Sequence, residues 1–492
     1  MNELLAALVV LVPSLGGLLA WSLAGRAAER VASGSLGIAT VAAGWLACTA
    51  LAGGPIVAFG GLVVIDALGA ALLVLTVSVA VLAAAAAPRY VRHELATGAY
   101  RPRDEGRFYA LSLWFVASLL AVPLLDNLGL LWVAIEATTI VSALLVGISR
   151  TPDAIEAAWK YLILGTVGVG FALLGTLLAY ASSVGVLGAS SDALDWTRLV
   201  AIAPTLDPNL LRLAFVFALA GYGTKIGLAP FHTWLPDAHS QAPSPISALL
   251  SGVSLSAALY ALVRFHLVVS AGLGPAFSST LLIAFGLLSI VVALPFLIVQ
   301  ADLKRLLAYS SIEHMGLAVL GIGFGGPVAL LGAILHVGLH GVMKANLFLS
   351  AGEIVQQYGT PRIARIRGIL RGTPIAGRSL GLGIVLLGGL PPSGLFVTEF
   401  AIVLGGVLRG QLLAAGIAAI LLAVAFIALA FHATRLIRGR PASGLHGGAV
   451  GHGLAFRLAI PLGVVAVLGL WTPGPLEDAL RAVRVVLGGS GG

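Results

Sequence analysis

The sequence has few charged residues for its length. Of its 492 residues, 10% are charged and 59% are hydrophobic, whereas soluble domains carry about 25% charged residues. Because so little polar surface cannot cover a protein of this size in water, the composition predicts that lipid is its solvent. The net charge of +8 does not indicate a nucleic-acid partner, because the basic residues lie in short gaps between apolar runs.

Cysteine is nearly absent, since Cys48 stands alone in an apolar stretch. One cysteine excludes a disulfide within the chain and a cysteine-ligated metal or iron–sulfur centre. We also find no phosphate-binding loop, dinucleotide fingerprint or nucleophile motif. We therefore expect no catalytic, cofactor-binding or metal site in this chain. Glu3 precedes the first apolar stretch where a secretory signal has basic residues, so we expect a retained membrane helix.

Long apolar runs recur from one end of the chain to the other. A run of about 20 apolar residues crosses the hydrocarbon core as a helix. The sequence predicts an all-α integral membrane protein of about fourteen transmembrane helices. The predicted spans are 3–24, 35–53, 65–87, 108–125, 127–148, 154–182, 211–229, 244–268, 277–299, 302–323, 326–350, 378–407, 411–436 and 456–473.

Basic residues accumulate in every second loop. The loops between them offer little beyond Arg198 and Arg409. The positive-inside rule then predicts a multi-pass protein of the prokaryotic cytoplasmic (inner) membrane, with both termini on the non-cytoplasmic side. The basic side holds Arg26, Arg30, Arg89, Arg92, Arg101, Arg103, Arg107, Arg150, Lys304, Arg305, Arg362, Arg365, Arg367, Arg371, Arg435, Arg438 and Arg440.

Two apolar runs are interrupted by glycine and proline beside an ionisable residue. These are residues 221–230, which contain Lys225, and residues 388–399, which end at Glu399. Interrupted helices at corresponding positions of two repeats are the best sequence indication of a transport site. We predict two inverted five-helix repeats in which helices 7 and 12 are broken. The predicted division is an N-terminal three-helix region, the two repeats, and a C-terminal helix and tail, at 1–107, 108–268, 269–436 and 437–492.

Several ionisable side chains lie inside the apolar runs. Each costs about 2.5–3.5 kcal/mol on insertion scales, so each requires a reason. A salt bridge or a side chain reaching the interface could explain any single one, but hardly the whole set. His336, His340 and Lys344 share one helical face. The candidates for a proton pathway are Glu136, Lys160, Lys225, His336, His340, Lys344 and Glu399, with Glu313, His314, His232 and His239 as secondary candidates.

Lysine is rare where a general positive charge suffices. Only four of the 28 basic residues Lys and Arg are lysines, and we place Lys160, Lys225 and Lys344 inside membrane segments. A buried lysine can release its proton near neutral pH, whereas arginine effectively cannot. The lysines therefore favour proton transfer. Lys304 lies in a loop beside Arg305, where anchoring is the simpler interpretation.

The candidates suggest a lateral relay. A nearby opposite charge favours the charged form of a buried group, so a movement of Glu136 toward Lys160 or Lys225 would change whether a lysine holds its proton. Histidines can pass protons onward through water. The predicted row then runs from Lys225 through the two histidines of helix 11 to Lys344 and Glu399. For His232 and His239, near a broken helix end, loop packing explains the residues equally well, and Arg264 with His266 suggests an interface at a helix end.

Four stretches resemble a known family. The runs 223–239, 243–250, 302–311 and 336–349 are similar to the antiporter-like proton-translocating subunits of NADH–quinone oxidoreductase, group 4 membrane-bound nickel–iron hydrogenases and multi-subunit sodium/proton antiporters. Residues 131–139 and 150–161 most resemble the F component of hydrogenase 4. Ser251 departs from the pattern, because many relatives have His or Lys there, and Glu399 stands where some relatives have Lys.

The resemblance implies a proton-translocating subunit of a respiratory-type redox complex, most simply a membrane-bound hydrogenase. Glu136 and Lys225 would be the paired residues of the first half-channel, and Lys344 and Glu399 would serve the second. The implied partners are other membrane subunits, the lipid bilayer and a peripheral hydrogenase/iron–sulfur arm that holds the nickel–iron and iron–sulfur centres. The alternatives are a subunit of a multi-subunit cation/proton antiporter, and a structural relative whose channel has decayed.

Overall fold

The computed structural model describes residues 1–190, 192–441 and 452–488. In this part of the chain the secondary structure is helical except for one short hairpin of β1 (Ile56–Ala58) and β2 (Val63–Ile65). The helices are α1 (Asn2–Trp21), α2 (Gly25–Gly53), α3 (Ala67–Ala96), α4 (Pro102–Ala121), α5 (Leu128–Val146), α6 (Pro152–Leu187), α7 (Trp196–Ile202), α8 (Pro208–Ile226), α9 (Trp234–Gln241), α10 (Ser244–Leu249), α11 (Leu255–Leu273), α12 (Ala276–Val299), α13 (Leu303–Phe324), α14 (Gly326–Tyr358), α15 (Ile369–Gly372), α16 (Pro374–Leu387), α17 (Gly394–Leu408), α18 (Leu412–Ile437), α19 (His452–Leu470) and α20 (Gly474–Val486).

Fourteen crossings account for the predicted spans. Among the described residues, twelve helices, with α10 and α11 counted as one, are long and apolar enough to cross a membrane. The thirteenth is α8, of 19 residues, and the fourteenth is the interrupted pair α16 and α17. The all-α membrane fold of about fourteen helices is therefore confirmed. Since each predicted repeat contains five crossings, the second repeat runs in the opposite direction to the first. The residue numbers that divide the chain into its four predicted regions stay a prediction.

The first predicted break follows Lys225. Helix α8 ends at Ile226 because Gly227 takes the left-handed conformation, with φ of +84°, and its N–H bonds back to the carbonyls of Gly223 and Thr224. Glycine adopts this helix-ending conformation without a steric penalty, and Pro230 has no N–H with which to continue the helix. The chain resumes as α9, so Lys225 lies in the last turn before the gap.

The second predicted break precedes Glu399. Helix α16 ends at Leu387, Gly389 has φ of +73°, and two prolines follow. Helix α17 then begins after Ser393, whose hydroxyl accepts a hydrogen bond from the N–H of Leu395 at 3.1 Å. This is an ordinary serine N-cap. Both breaks are thus confirmed, and each places an ionisable side chain within two turns of a helix end.

A third irregularity separates α10 from α11. Residues 250–254 form a π-helical turn that includes Ser251. The carbonyl of Gly252 there packs against Gly341 of α14 so closely that no β-carbon would fit at Gly341. Such turns occur often at functional sites, and this one lies where the two predicted repeats meet.

The interior of the molecule is formed by few helices. The spanning windows of the crossing from α10 to α11 and of α13 are completely buried, whereas 22% of the spanning window of α19 and 28% of that of α18 are buried. Apolar side chains cover the outward faces of the peripheral helices. An enclosed helix that contacts no lipid is where ionisable residues can be kept inside a membrane protein.

Candidate functional site

Most of the ionisable candidates are buried on α5, α8, α13 and α14. The fold therefore buries ionisable residues from distant parts of the sequence. The exposed fractions of these residues are 8% for Glu136, 1% for Lys225, 3% for Glu313, 1% for His314, and 0% for His336, His340 and Lys344.

Lys225 is held by hydroxyl groups. Its ammonium donates hydrogen bonds to the Tyr161 Oη at 2.6 Å and the Thr139 Oγ1 at 3.0 Å. The Tyr161 hydroxyl also lies 2.8 Å from Ser142 Oγ. These partners are neutral, so nothing in direct contact with Lys225 commits it to the charged form. The site can therefore hold the lysine with or without its proton.

Glu136 lies one turn before Thr139 on α5. Residues three apart share a helical face, so Glu136 faces the same region as Lys225. Its Oε1 accepts a hydrogen bond from Thr166 Oγ1 of α6 at 2.8 Å, while its Oε2 is buried with no hydrogen-bond partner among the described residues. The predicted Glu136 and Lys225 pair is thus brought together around Thr139.

The prediction that Lys160 is buried within the membrane is wrong. The Lys160 side chain is 47% exposed and forms ion pairs with Glu156 at 2.6 Å and Asp237 at 3.2 Å. Arg305 pairs with the same aspartate at 2.7 Å. Lys160 lies two turns into α6, near its arginine-rich end, where the carboxylate four residues earlier is within reach. The next residue, Tyr161, turns inward and contacts Lys225 instead.

Lys304 also differs from the expectation. Its side chain is 6% exposed rather than a surface anchor, and its ammonium donates to the carbonyl of Ala242, the residue that ends α9. In the first turn of α13 the Lys304 side chain is buried while that of the adjacent Arg305 stays partly exposed, a difference that the loop position did not reveal. The three buried lysines are therefore Lys225, Lys304 and Lys344.

Lys344 contacts α13 across the interior. Its ammonium donates to the carbonyl of Leu307 at 2.8 Å and to the hydroxyl of Ser310. Glu313 lies one turn further along α13, and its Oε2 is buried without a hydrogen-bond partner in the described residues. This arrangement repeats the first half: a buried lysine held by neutral oxygens, with a carboxyl group one turn away.

Three histidines and Glu399 complete the second half. His314 Nδ1 lies 3.1 Å from His336 Nε2 and 4.0 Å from Glu399 Oε1. His336 Nδ1 lies 2.9 Å from Thr398 Oγ1. The His340 ring lies with its centroid 5.2 Å from that of His314, and neither of its nitrogens has a hydrogen-bond partner among the described residues. Four candidates from three helices thus form one cluster with Lys344 beside it.

The hydrogen bonds assign one tautomer to His336. The Thr398 hydroxyl donates its only proton to the carbonyl of Leu395 at 2.8 Å, so its oxygen must accept from the His336 Nδ1–H. In the neutral ring Nε2 is then the acceptor, and it receives the Nδ1–H of His314. The assignment rests on the network rather than on observed hydrogens. It gives a directed chain from His314 through His336 to Thr398.

His239 lies between the two halves. It is fully buried, and its Nδ1 donates to the carbonyl of Leu235 at 2.9 Å. Its ring centroid lies 6.1 Å from that of Trp234, which stacks on Tyr161, and 5.6 Å from that of Phe348, one turn from Lys344. His232 is also buried, with 8% exposed. Both histidines are thus part of the interior rather than of an exposed loop.

A buried hydroxyl pair links the π-helical turn to α13. Ser251 Oγ, in the π-helical turn, lies 2.8 Å from Ser311 Oγ of α13. Both are fully buried. The polar residues that sequence reasoning missed are of this kind, and the available signal was their spacing from a predicted charge. They are Thr139, Ser142, Tyr161, Thr166, Ser310, Ser311 and Thr398.

Arg264 does not mark an exposed helix end. It is fully buried and binds Asp66 through two hydrogen bonds of 2.8 and 2.6 Å. Its guanidinium lies 3.8 Å from the centroid of the Trp196 ring and 4.5 Å from that of Tyr260. The pair therefore ties α3 to α11, and the earlier expectation of an interface residue is wrong. His266 lies nearby, with Nδ1 2.9 Å from Ser278 Oγ.

Comparison with protein families gives a match over most of the described core. The family model described as NADH:quinone oxidoreductase/Mrp antiporter, TM, matches residues 126–425. Among curated proteins, the hydrogenase-4 component F homolog of Methylacidiphilum infernorum (isolate V4) is 39% identical over 359 residues. The alignment covers 73% of this chain and 75% of that protein.

Solved structures share the fold over nearly the whole chain. A chain of the membrane-bound sulfane sulfur reductase, an archaeal respiratory membrane complex, superposes with a TM-score of 0.87 at 23% identity, covering 98% of this chain and 97% of that one. A chain of the Mrp complex from Dietzia sp. DQ12-45-1b gives a TM-score of 0.82 at 21% identity, with 99% and 98% covered. At these identities the likeness shows the fold alone.

Proposed function

Because this chain belongs to the NADH:quinone oxidoreductase/Mrp antiporter transmembrane family, we propose that it moves protons across the membrane as one subunit of a respiratory-type redox complex. A hydrogenase of the hydrogenase-4 type is the first choice, supported by the relative that is 39% identical. In that complex the chain is a pumping subunit without a catalytic centre of its own.

The observation that carries the proposal is the setting of Lys225. It is 1% exposed, ends an interrupted helix and is held by hydroxyl groups, with Glu136 one turn from its partner Thr139. A buried lysine is able to lose its proton, and a carboxylate nearby favours the charged form. A change in the charge of Glu136 then loads or unloads Lys225. Proton uptake and release at this lysine is the elementary step.

The second half offers a continuation of the path. From Lys225, the buried His239 leads toward Lys344, and the cluster of His314, His336 and His340 then leads to Glu399. In this path the histidines of α14 follow Lys344, whereas the row predicted from the sequence placed them before it. Distances between these groups require water molecules as bridges, since only His314 and His336 are in direct hydrogen-bond contact. Hydroxyl groups such as those of Ser251 and Ser311 supply the polar lining that such water needs.

The partners follow from the same proposal. Cys48 is the one cysteine, so nickel–iron and iron–sulfur centres must belong to other subunits. We propose that the partners of this chain are other membrane subunits, lipid, and a peripheral hydrogenase/iron–sulfur arm. We place both termini on the non-cytoplasmic side of a prokaryotic inner membrane, because the arginine-rich loops lie on the opposite side.

A cation/proton antiporter subunit is the second candidate. The family model that matches this chain covers the Mrp antiporter as well as NADH:quinone oxidoreductase, which favours it. Purification of the tagged chain from gently solubilised membranes, with identification of every accompanying subunit, separates the two. Nickel–iron hydrogenase and iron–sulfur subunits support the first function. Antiporter subunits without redox centres would move the assignment to ion exchange driven by the membrane gradient.

The relay itself is tested at its far end. Glu399→Gln keeps the size of the side chain but removes its ability to become charged, so proton pumping by membrane vesicles should be abolished while the subunits still assemble. Asp237→Asn is the matched control, because Asp237 lies in the partly exposed ion-pair group with Lys160. Pumping by Glu399→Gln at the normal rate would remove this residue from the path.

A further inference from the structure

Three side chains of the second half direct metal-ligand atoms to one point. One ligand atom from each of His314, His336 and Glu399 lies within 4.8 Å of the other two. His314 Nδ1 lies 3.1 Å from His336 Nε2 and 4.0 Å from Glu399 Oε1. They come from three different helices, α13, α14 and α17. The exposed fractions of the side chains of His314 and Glu399 are 1% and 12%, so this is a buried, converging set rather than an exposed acidic patch.

The ligand types select the ion. Two imidazole nitrogens and one carboxylate oxygen are a set that binds Zn²⁺ in sites that keep a fourth position open. Magnesium and calcium prefer oxygen ligands alone. We propose that His314, His336 and Glu399 form a Zn²⁺-binding site, and that Zn²⁺ bound there stops proton transfer through the second half of the protein.

The ring of His336 is already oriented as a zinc ligand. A ligating histidine almost always donates its other ring N–H to an oxygen, which fixes the tautomer and the ring plane. Here Nδ1–H donates to Thr398 Oγ1 at 2.9 Å, and Thr398 is held in turn by the carbonyl of Leu395. The lone pair of Nε2 therefore points at the site without any rearrangement of this residue.

His314 needs one change of tautomer. In the structure its Nδ1–H donates to His336 Nε2, the two nitrogens being 3.1 Å apart. Zn²⁺ takes the place of the shared proton and binds both nitrogens. The displaced proton moves to His314 Nε2, which has no hydrogen-bond partner among the described residues. Glu399, 4.0 Å from His314 Nδ1, supplies the negative charge that offsets part of the charge of the ion.

The effect on transport rests on the proposed function, whereas binding does not. With Zn²⁺ in place, neither ring nitrogen nor the carboxylate is free to take a proton. The path from Lys344 to Glu399 is then interrupted. Zinc binding and zinc inhibition are therefore measured separately.

Binding is measured on the full-length chain in lipid nanodiscs, purified with a tag that contains no histidine, with Zn²⁺ as the sole added ligand. Titration calorimetry should give one site per chain, and X-ray absorption should give nitrogen and oxygen neighbours that include imidazole. His336→Gln and Glu399→Gln should each weaken binding by at least about tenfold, and Thr398→Val by about tenfold through loss of the orienting hydrogen bond. His239→Gln, which removes a buried histidine elsewhere, should bind as the unaltered chain does.

The absence of Zn²⁺ binding, or equal affinity in His336→Gln and the unaltered chain, would overturn the site. Proton transport is then followed with and without Zn²⁺ in the intact complex. Inhibition that disappears in Thr398→Val at the same Zn²⁺ concentration supports the whole inference. Zinc that occupies the site without slowing transport would contradict the path through His314, His336 and Glu399, and would leave the binding site standing.

Discussion

At the scale of single residues, the account depends on the oxygen atoms that hold Lys225. Tyr161 is the closest of them, at 2.6 Å, and it also contacts Ser142. Tyr161→Phe removes this oxygen with little change in shape. Since a hydrogen bond to a charged group is worth about 1.5–3 kcal/mol, we expect proton transport per complex to fall roughly tenfold. Tyr180→Phe on the same helix is the control, and an equal effect of both substitutions would contradict the role of Tyr161.

The ion pair of Asp66 and Arg264 makes a prediction about stability. Arg264→Met leaves Asp66 buried and unpaired, which costs about 3–5 kcal/mol. The thermal unfolding midpoint in detergent should therefore fall. The double variant Asp66→Asn with Arg264→Met removes both charges and keeps an N-cap for α3, so it should recover part of the loss. A double variant no more stable than Arg264→Met alone would show that the buried charge is not the cause.

The sequence could identify the charged members of the site but not their surroundings. Glu136, Lys225 and Lys344 are recognisable because a charge inside an apolar run is costly wherever it points. Hydroxyl residues such as Tyr161 cost little in a helix and leave no such signal. We predicted that Lys160 is inside and that Lys304 is at the surface, and the structure shows the opposite for both. Only tertiary packing decides which face of a helix is enclosed.

At the scale of secondary-structure elements, the second break is shaped around Glu399. Gly389 has φ of +73°, and a β-carbon there would collide with the Glu399 carboxylate. Gly389→Ala adds a left-handed penalty of about 1–2 kcal/mol and displaces the carboxylate, so transport should be lost while the protein still assembles. Gly416 lies on the lipid side of α18 with open space around it, so Gly416→Ala should leave transport unchanged. Normal transport in Gly389→Ala would show that the geometry of this helix break is not needed for transport.

The two breaks were predictable and the π-helical turn was not. Gly227 and Pro230, like Gly389 and the two prolines after it, end helices for local reasons that the sequence displays. Residues 250–254 have no such local cause. Their geometry depends on the close approach of Gly341 to the carbonyl of Gly252, which is a tertiary contact.

At the scale of the whole molecule, the distribution of arginine predicts the orientation. Fourteen crossings place the start of α1 and the end of α19 on the same side, opposite the arginine-rich loops. Alkaline phosphatase fused after residue 488 should therefore be active in intact cells, and a fluorescent protein at the same point should be dark. The reverse pattern would place the termini on the cytoplasmic side and contradict the predicted orientation.

The central claim is that Lys225 must give up its proton, and Lys225→Arg tests it most directly. Arginine keeps the positive charge and a long side chain but stays protonated under all physiological conditions. Proton transport by inverted membrane vesicles is measured for the unaltered complex and for Lys225→Arg, with equal amounts of assembled complex. The account predicts that Lys225→Arg assembles and does not transport. Transport at the normal rate would contradict it, because a fixed charge at this position would then be sufficient.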